Sequence, residues 1–216
     1  MNVIVFGATG GTGRAVIRSL LAARHRVTAF VRNPAKLTAQ PGLSVATGDA
    51  MNAADVSRSV AGHDAVVVSL GNSQNPIARL LGAQRATPPN VCEAGTRNII
   101  AAMQAASVKR LVCVTAFGVG DTREKMPAAF KLFYRLFLRE QMADKEQQEK
   151  LIKASGLDWT LVQPVGLTNR PAAGAWLASP SGEIGKPTVS RADLGAFIAA
   201  ELAASGHMRQ TVAVSG

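Results

Sequence analysis

The amino-acid sequence predicts an α/β fold with a doubly wound, mostly parallel sheet that carries helices on both faces. Short β-rich runs alternate with helical segments, and most of these runs are continuously apolar, as is typical of strands buried on both faces. A glycine cluster stands between the first run and the first helix, which also favours this class. The predicted strands are 2–6, 26–31, 43–47, 64–70, 110–115, 158–163 and 210–214.

The predicted helices alternate with these strands and lie at 12–23, 53–60, 90–106, 127–141, 143–155 and 191–203. Ser190 precedes the last helix as a candidate N-cap, and Gly156 follows the fifth as a candidate C-cap. The Gly- and Pro-rich stretch 164–187 is predicted to be irregular. In this fold it would lie beyond the carboxyl end of a strand, where ligands bind.

Length and composition predict a single domain that spans residues 1–216. Hydrophobic residues make up 47% of the chain and charged residues 18%, so a sizeable core can form and a disordered or fibrous protein is excluded. Apolar runs such as 65–70 are far shorter than the ~20 residues that cross a bilayer, so we expect no membrane span and no signal peptide. Cys92 and Cys113 cannot build a disulfide framework, which makes the cytoplasm the expected location.

The formal net charge of +10 raises the question of a nucleic-acid partner. The basic residues of the N-terminal half are scattered, without a basic block, zinc-finger spacing or an aromatic RNA-binding motif. A phosphorylated cofactor together with solvated surface charge explains the excess more economically. We therefore do not expect nucleic acid as a partner.

The sharpest motif is the run Gly-Ala-Thr-Gly-Gly-Thr-Gly at residues 7–13, between an apolar strand and a helix. Gly7 permits a tight turn, Gly10 allows backbone amides to approach a pyrophosphate, and Gly13 allows the helix to pack closely on the sheet. The spacing is G-x-x-G-x-x-G, and without its context such a cluster could be an ordinary loop. In context it predicts a Rossmann-type dinucleotide site with these pyrophosphate-binding residues: Gly7, Thr9, Gly10, Gly11, Thr12 and Gly13.

The end of the second strand bears on the choice of nucleotide. Sites for NAD usually carry Asp or Glu about 20 residues beyond the glycine loop, whereas an Arg there accommodates a 2′-phosphate. Here that position is Arg32, no carboxylate occurs in residues 2–40, and Lys36 or Arg14 could add a second cation. This pattern predicts NADP(H) as the cofactor; the alternative is that Arg32 is a solvated surface residue.

Small and acidic residues follow the next two strands. Asp49 could accept a hydrogen bond from the adenine amino group, or it could cap the helix that follows it. Ser69, Leu70 and Gly71 are predicted to bring their backbone close to the cofactor ribose.

These residues resemble the atypical short-chain dehydrogenases/reductases with an NAD(P)H-binding, NmrA-like domain, most closely the biliverdin reductase B/flavin reductase type. The resemblance covers nearly the whole chain and is carried by residues 7–13, 31–32, 48–49, 93–103, 115–117, 154–157 and 190–195. It implies NADPH-dependent reduction of flavins, quinones or similar conjugated acceptors that stack over the nicotinamide. The implied acceptor-side segments are about 116–142 and 164–190.

The resemblance also implies site residues at the nicotinamide end. Thr115 stands where the flavin reductase pattern has serine, keeps the hydroxyl, and is the residue expected nearest to nicotinamide and acceptor. Pro164 and Val165 are expected to contact the cofactor, and Phe117 and Gly166 the acceptor. Because Gly166 replaces the histidine of the pattern, biliverdin-like tetrapyrroles are not expected as acceptors.

Acid–base chemistry of the standard short-chain dehydrogenase kind is not expected. That chemistry uses a tyrosine with a lysine four residues later, but the single tyrosine, Tyr134, is followed at that spacing by Leu138. Hydride transfer to a flavin or quinone depends less on such a pair, because the negative charge delocalises. Lys145 aligns loosely with the lysine site of related reductases and could orient a ribose or an acceptor oxygen; the alternative is an exposed lysine paired with Glu149.

The histidines are predicted to be surface residues, and no metal site is expected. The segment 127–141 reads as a basic amphipathic helix with four aromatic residues. Core packing alone, a wall of the acceptor pocket, a dimer surface and a membrane-surface contact all remain open for it. Among the functional interpretations we favour the pocket wall, with Phe133 and Phe137 against the acceptor.

The sequence thus predicts an NADPH-dependent reductase, a monomer or homodimer, that passes hydride to a flavin- or quinone-like small molecule. The alternative is a non-catalytic NADP(H)-binding redox sensor that reports to a protein partner. An assembly or nucleic-acid-binding role of the basic N-terminal half is a third interpretation.

Overall fold

The structure, a computed structural model, describes residues 1–71, 87–126, 131 and 138–216. Its strands are β1 (Asn2–Phe6), β2 (Arg26–Val31), β3 (Leu43–Thr47), β4 (Ala65–Val68), β5 (Arg110–Val114), β6 (Asp158–Pro164), β7 (Gly166–Thr168), β8 (Leu177–Ser179), β9 (Thr188–Ser190) and β10 (Gln210–Ser215). Its α-helices are α1 (Gly11–Ala22), α2 (Ala53–Val60), α3 (Val91–Ala105), α4 (Arg139–Ala154) and α5 (Arg191–Ala204). Two 3₁₀ helices lie at Pro34–Lys36 and Gly120–Lys125.

The main sheet has the strand order β3-β2-β1-β4-β5-β6-β10-β8. All neighbouring strands run parallel except β8, which is antiparallel to β10, and β7 pairs with β9 in a separate two-stranded sheet. The chain runs outward from β1 to β3 on one side and returns to β4 on the other, so the strand order reverses between β1 and β4. The predicted doubly wound fold is confirmed, and ligands in such sheets bind at the carboxyl ends of strands beside the reversal.

The apolar strands are buried on both faces. In β1, Val3 and Val5 join one core cluster with residues of α1 and α5, whereas Ile4 and Phe6 join a second cluster with residues of α2 and α3. Each of these four side chains is fully buried, which contributes about 1.5–3 kcal/mol per side chain to folding. This two-sided burial explains why the strands read as continuous apolar runs.

Helices α1 and α5 pack against each other with backbone in contact. A Cβ atom added to Gly195 of α5 would lie 2.8 Å from the carbonyl carbon and oxygen of Ala15 in α1. Only glycine therefore allows this close approach. The contact fixes both helices on one face of the sheet, with their N-terminal residues Gly11 and Arg191 next to each other.

The predicted N-cap Ser190 is confirmed, and the predicted C-cap Gly156 directly follows Ser155, the C-cap residue of α4. The Ser190 hydroxyl accepts a hydrogen bond from the Asp193 backbone N–H at 2.9 Å and donates to the Asp193 carboxylate at 2.7 Å. Gly156 has φ +73°, the left-handed conformation that ends a helix most easily at glycine.

Two predicted boundaries were wrong. The helix predicted at 143–155 begins earlier, at Arg139, so residues 139–141 belong to α4 and not to a preceding helix. The stretch 164–187 contains the short strands β7 and β8, whose three residues each are too few to show a period-two pattern. Most of the segment 127–141, including Phe133 and Phe137, lies outside the described residues, so its predicted roles stay predictions.

We expect Gly195→Ala to lower the free energy of unfolding by about 1–3 kcal/mol, because the new methyl group would meet the α1 backbone. Urea denaturation followed by circular dichroism measures this. Gly206→Ala is the matched control, since its Cβ would lie no nearer than 3.8 Å to the Glu201 carboxylate. Equal effects of the two substitutions would contradict the close α1–α5 contact.

Candidate functional site

A cleft of about 540 Å³ lies at the carboxyl ends of β1, β2, β4 and β5, beside the reversal in strand order. Most of the predicted site residues line it. These are Gly7, Thr9, Gly10, Gly11, Thr12, Arg32, Lys36, Asp49, Ser69, Leu70, Gly71, Thr115 and Lys145. The structure therefore brings together, in one cleft, residues from six separate parts of the chain.

The glycine loop forms one wall of the cleft, and sterics explain two of its glycines. A Cβ on Gly7 would lie 2.2 Å from the Ser69 carbonyl oxygen, and a Cβ on Gly13 would lie 2.2 Å from the Gly7 carbonyl oxygen. Gly7 also has φ +79°. Gly13 is buried and does not line the cleft, so it acts on the site by letting α1 pack against the loop, as predicted from its place in the motif.

The N-terminus of α1 opens toward this loop. Gly10 is its N-cap residue, the first turn carries no acidic residue, and within the described residues no side chain caps its N–H groups. Free N–H groups and the helix dipole make such a terminus a site for an anion. Gly10, Gly11 and Thr12 all line the cleft, so the uncapped N-terminus of α1 is open to it.

Two cationic side chains lie next to the glycine loop, where β2 ends. Arg32 and Lys36 line the cleft and are exposed. Arg14, the other candidate for a second cation, donates instead to the backbone carbonyls of Thr9 at 3.0 Å and Lys36 at 2.5 Å. It thereby ties the glycine loop to the segment that carries Lys36.

Asp49 lines the cleft and does not cap α2. Its Oδ1 accepts a hydrogen bond from the Met51 N–H at 3.0 Å, which closes a turn just before the helix. The N-cap of α2 is Asn52, whose side-chain oxygen accepts from the N–H groups of Ala54 and Asp55. The capping alternative for Asp49 is therefore wrong.

Thr115 and Lys145 both line the cleft where β4 and β5 end. Thr115 follows β5, is only 4% exposed, and donates its hydroxyl hydrogen to Glu149 Oε1 over 2.6 Å. The Lys145 Nζ lies 3.3 Å from the Val114 carbonyl oxygen and 3.4 Å from that of Leu70. Lys145 is thus part of the cleft wall, between the ends of β4 and β5, and is not the exposed lysine of the alternative interpretation.

The predicted residues near the end of β6 do not line the cleft in the part of the chain that the structure describes. Phe117 and Val165 are buried in the core cluster of the α1–α5 face, and Pro164 pairs with Val214 as the last residue of β6. Gly166 starts β7 and pairs with Thr188. β6 stays in the sheet through Pro164, and the chain then turns into β7, where Leu167 lines the cleft. The cofactor and acceptor contacts expected at these four residues stay predictions.

A buried polar cluster beneath Thr115 was missed by the sequence analysis. Glu149 is 2% exposed and Gln163 is fully buried. The Gln163 Nε2 donates to Glu149 Oε1 at 2.7 Å and to the Val119 carbonyl at 2.9 Å, while the Thr122 hydroxyl donates to Gln163 Oε1 at 2.7 Å. The available signal was Gln163 itself, a polar residue inside an otherwise apolar strand.

Burial raises the pKa of the Glu149 carboxyl group above its ordinary value, although the hydrogen bonds from Thr115 and Gln163 act in the opposite direction. Burial also raises the pKa of the Cys92 thiol to about 12. The thiol is therefore protonated and a poor nucleophile near neutral pH.

Asp144, one residue before Lys145, docks α4 against α3. Its carboxylate accepts hydrogen bonds from the backbone N–H groups of Cys92 at 2.9 Å and Glu93 at 2.8 Å, in the first turn of α3. One helix thus caps another through a side chain that is 8% exposed. This contact sets where α4 lies and so places Lys145 at the cleft.

Fold and cleft together define a nucleotide-binding protein of the Rossmann type. A family model described as NAD(P)H-binding matches residues 7–205, so the chain belongs to this NAD(P)H-binding family. The chain is 32% identical over 205 residues to an uncharacterized chloroplastic protein of Arabidopsis thaliana, an alignment that covers 93% of this chain and 71% of that protein. The cytoplasmic location expected for this chain stays a prediction.

Solved structures with the same fold include reductases. The anaerobilin reductase ChuY of Escherichia coli O157:H7 has a TM-score of 0.78 and 26% identity, covering 100% of this chain and 97% of that one. A short-chain dehydrogenase/reductase of Veillonella parvula, solved in complex with NADP, has a TM-score of 0.80 at 18% identity, covering 100% and 94%, and shows the fold alone. Two curated relatives are much longer proteins, since the chain covers only 31% and 32% of their lengths.

Two further structural findings concern the described residues. None of their helices is both long and apolar enough to span a membrane. Their His, Cys, Asp and Glu side chains form no group of three or more that could hold a metal ion.

We expect Asp144→Ala to lower the free energy of unfolding by about 1–3 kcal/mol, because two buried N–H groups of α3 lose their acceptor. The free energy of unfolding of Asp144→Asn should lie between those of the wild type and Asp144→Ala, since the Asn amide oxygen still accepts a hydrogen bond. Thermal and urea denaturation measure both variants. Glu146→Ala on the same helix is the control: it breaks the partly exposed ion pairs with Arg123 and Lys150 and should cost less than about 1 kcal/mol. A larger loss for Glu146→Ala would contradict the docking role of Asp144.

Proposed function

We propose that this protein is a single-domain, NADPH-dependent reductase that passes hydride to a flavin- or quinone-like acceptor. Within its family we place it nearest to the flavin reductase type. The observation that carries the proposal is the difference between the two ends of the cleft. One end has the uncapped N-terminus of α1 and the cations Arg32 and Lys36, and the other has the Thr115 hydroxyl and the Lys145 amine.

The residues present fit a dinucleotide. The backbone N–H groups of Gly10, Gly11 and Thr12 would hold the pyrophosphate. The loop can present them in this way only with glycine at positions 7 and 13, since a side chain at either position would collide with backbone atoms. Asp49 would accept from the adenine amino group, and residues 69–71 would lie along a ribose. Thr115 and Lys145 would then face the nicotinamide end.

The choice of NADPH over NADH rests on Arg32 and Lys36. A 2′-phosphate carries about two negative charges and forms strong charge-assisted hydrogen bonds with a guanidinium group. Both side chains are exposed at the cleft edge, and the backbone of Lys36 is held by Arg14. The neutral 2′-hydroxyl of NADH would form no such charge-assisted hydrogen bond with Arg32 or Lys36.

The acceptor class follows from the groups at the nicotinamide end. A bound nicotinamide supplies the hydride, so the protein has only to position the acceptor and deliver one proton per hydride. The described lining residues include neither tyrosine nor histidine. An acceptor that delocalises negative charge, such as an isoalloxazine or a quinone, needs less acid catalysis than a ketone.

The second candidate function is an NADP(H)-binding redox sensor without turnover. One observation favours it: two of the predicted acceptor contacts, Phe117 and Gly166, do not line the cleft that the structure describes. A sensor needs the nucleotide site but not an acceptor site.

Purified protein should oxidise NADPH faster with FMN or a small quinone than without an acceptor. The absorbance of NADPH measures this rate.

Arg32→Ala should weaken NADPH binding by roughly 10- to 100-fold, as expected for loss of a charged hydrogen bond worth ~1.5–3 kcal/mol, and should change NADH binding little. Arg18→Ala is the matched control, an exposed arginine of α1 that does not line the cleft.

The alternatives give different results in the same assay. Tight NADPH binding without oxidation by any acceptor would favour the sensor. An equal effect of Arg32→Ala on NADPH and NADH would contradict recognition of the 2′-phosphate.

A further inference from the structure

A carboxyl group lies directly behind the hydroxyl that faces the cleft. Glu149 Oε1 receives two hydrogen bonds, from the Thr115 hydroxyl at 2.6 Å and from Gln163 Nε2 at 2.7 Å. Within the described residues, Glu149 Oε2 is buried and makes no hydrogen bond. The backbone closes over it, since a Cβ on Gly120 would lie 2.5 Å from this oxygen.

The surroundings of Glu149 disfavour its charged form. The donors bonded to it, Thr115 directly after β5 and Gln163 in β6, are neutral. The opposite charge that lowers its pKa is Lys153 on its own helix, which is bonded at 2.7 Å to Asp121 of the 3₁₀ helix Gly120–Lys125. The pKa of Glu149 is raised on balance, chiefly by burial and also by the charge of Asp121, against the lowering effect of these hydrogen bonds and Lys153.

Other titratable groups near this position are the buried Cys113 of β5 and Lys145, one turn earlier on α4. Burial keeps the Cys113 thiol neutral by raising its pKa, with the charge of Lys145 acting against this shift. Lys145 is directed to the carbonyl oxygens of Leu70 and Val114. Neither group is bonded to Glu149 in the described contacts.

The protonation state of Glu149 decides what Thr115 offers to the cleft, because a hydroxyl group has one hydrogen. When Glu149 is a carboxylate, the Thr115 hydrogen points to Oε1, and Oγ1 presents only lone pairs to the cleft. When Oε1 carries a proton, the carboxyl group donates to Thr115 Oγ1, and the Thr115 hydrogen can turn into the cleft. The same hydroxyl is then an acceptor in one state and a donor in the other.

We propose that Glu149 is a positioning residue that sets the hydrogen-bond direction of Thr115 and, through this hydroxyl, supplies a proton to an acceptor in the cleft. The inference rests on the proposed reductase function and deepens it. The Thr115 hydroxyl proton passes to the anionic heteroatom of the acceptor that has received the hydride, and the Glu149 proton passes to Thr115 Oγ1. Glu149 is left as a carboxylate and regains a proton from water through the same hydroxyl after product release.

The first test needs neither cofactor nor turnover. In uniformly ¹³C-labelled protein, the Glu149 carboxyl carbon is assigned by its absence in Glu149→Gln, and its chemical shift is followed against pH. We expect a midpoint well above the ~4.3 of an unperturbed glutamate. Thr115→Val should raise the midpoint further, because the hydrogen bond that Thr115 donates to the carboxylate is charge-assisted and stronger than the one it accepts from the neutral carboxyl group. An ordinary midpoint, or one that Thr115→Val leaves unchanged, would overturn the proposal.

The second test is the pH profile of NADPH oxidation with FMN. The rate should fall by roughly 100-fold as pH rises through the midpoint measured by NMR, the low end of what general acid catalysis contributes. Glu149→Gln preserves the hydrogen bonds of Thr115 and Gln163 at its amide oxygen, so it should fold. It should show the low, alkaline rate at every pH.

Gln148→Met is the matched control. Gln148 is the preceding residue of α4, is fully buried, and donates to Thr96 of α3 and not to Thr115. Its loss should lower stability but leave the midpoint of the pH profile in place. A shifted midpoint in this control would mean that any buried polar change moves the profile, and would overturn the specific role of Glu149.

The results separate this inference from the proposed function. NADPH oxidation whose pH profile is the same in wild type and Glu149→Gln overturns the Thr115–Glu149 relay and leaves the reductase standing. Absence of oxidation in the wild type overturns the reductase, and with it the proton supply to an acceptor, whatever the NMR midpoint.

Discussion

The close approach of three backbone segments at the end of β1 is the constraint on which the rest of the site depends. The carbonyl of Ser69, at the end of β4, leaves no room for a side chain on Gly7, and the carbonyl of Gly7 leaves none on Gly13. β1, β4 and α1 can therefore converge, and the first turn of α1 lies where the strand order reverses. Side chains at these two positions would push α1 away from the sheet and remove the anion site.

Helix α4 organises the other end of the cleft through one run of polar residues. Asp144 caps α3, Gln148 bonds to Thr96 of α3, and Glu149 bonds to Thr115 at the end of β5. Lys145, between them, contacts the carbonyl oxygens at the ends of β4 and β5. Because buried polar groups are costly unless they are paired, these contacts fix the position of α4 more narrowly than apolar packing alone.

The cleft thus combines two electrostatic regimes. At the end of β2 the charges of Arg32 and Lys36 are exposed and available to a phosphate. Beneath Thr115 the groups are buried and hydrogen-bonded to one another, so their interactions are strengthened by the low local dielectric. The first regime suits binding of a charged ligand, and the second suits control of a proton.

The sequence by itself determined the seven parallel strands of the main sheet, the sheet class and the glycine-loop wall, because apolar runs, the glycine spacing and the cap at Ser190 are local signals. It also placed Arg32 and Thr115 at the ends of strands, and the family resemblance pointed to Lys145. Only the tertiary structure decided that Phe117 and Val165 enter the core, that Asp144 caps a different helix, and that Glu149 lies behind Thr115. Those outcomes depend on contacts between residues far apart in the chain, and no local pattern encodes which distant group a buried polar side chain will meet.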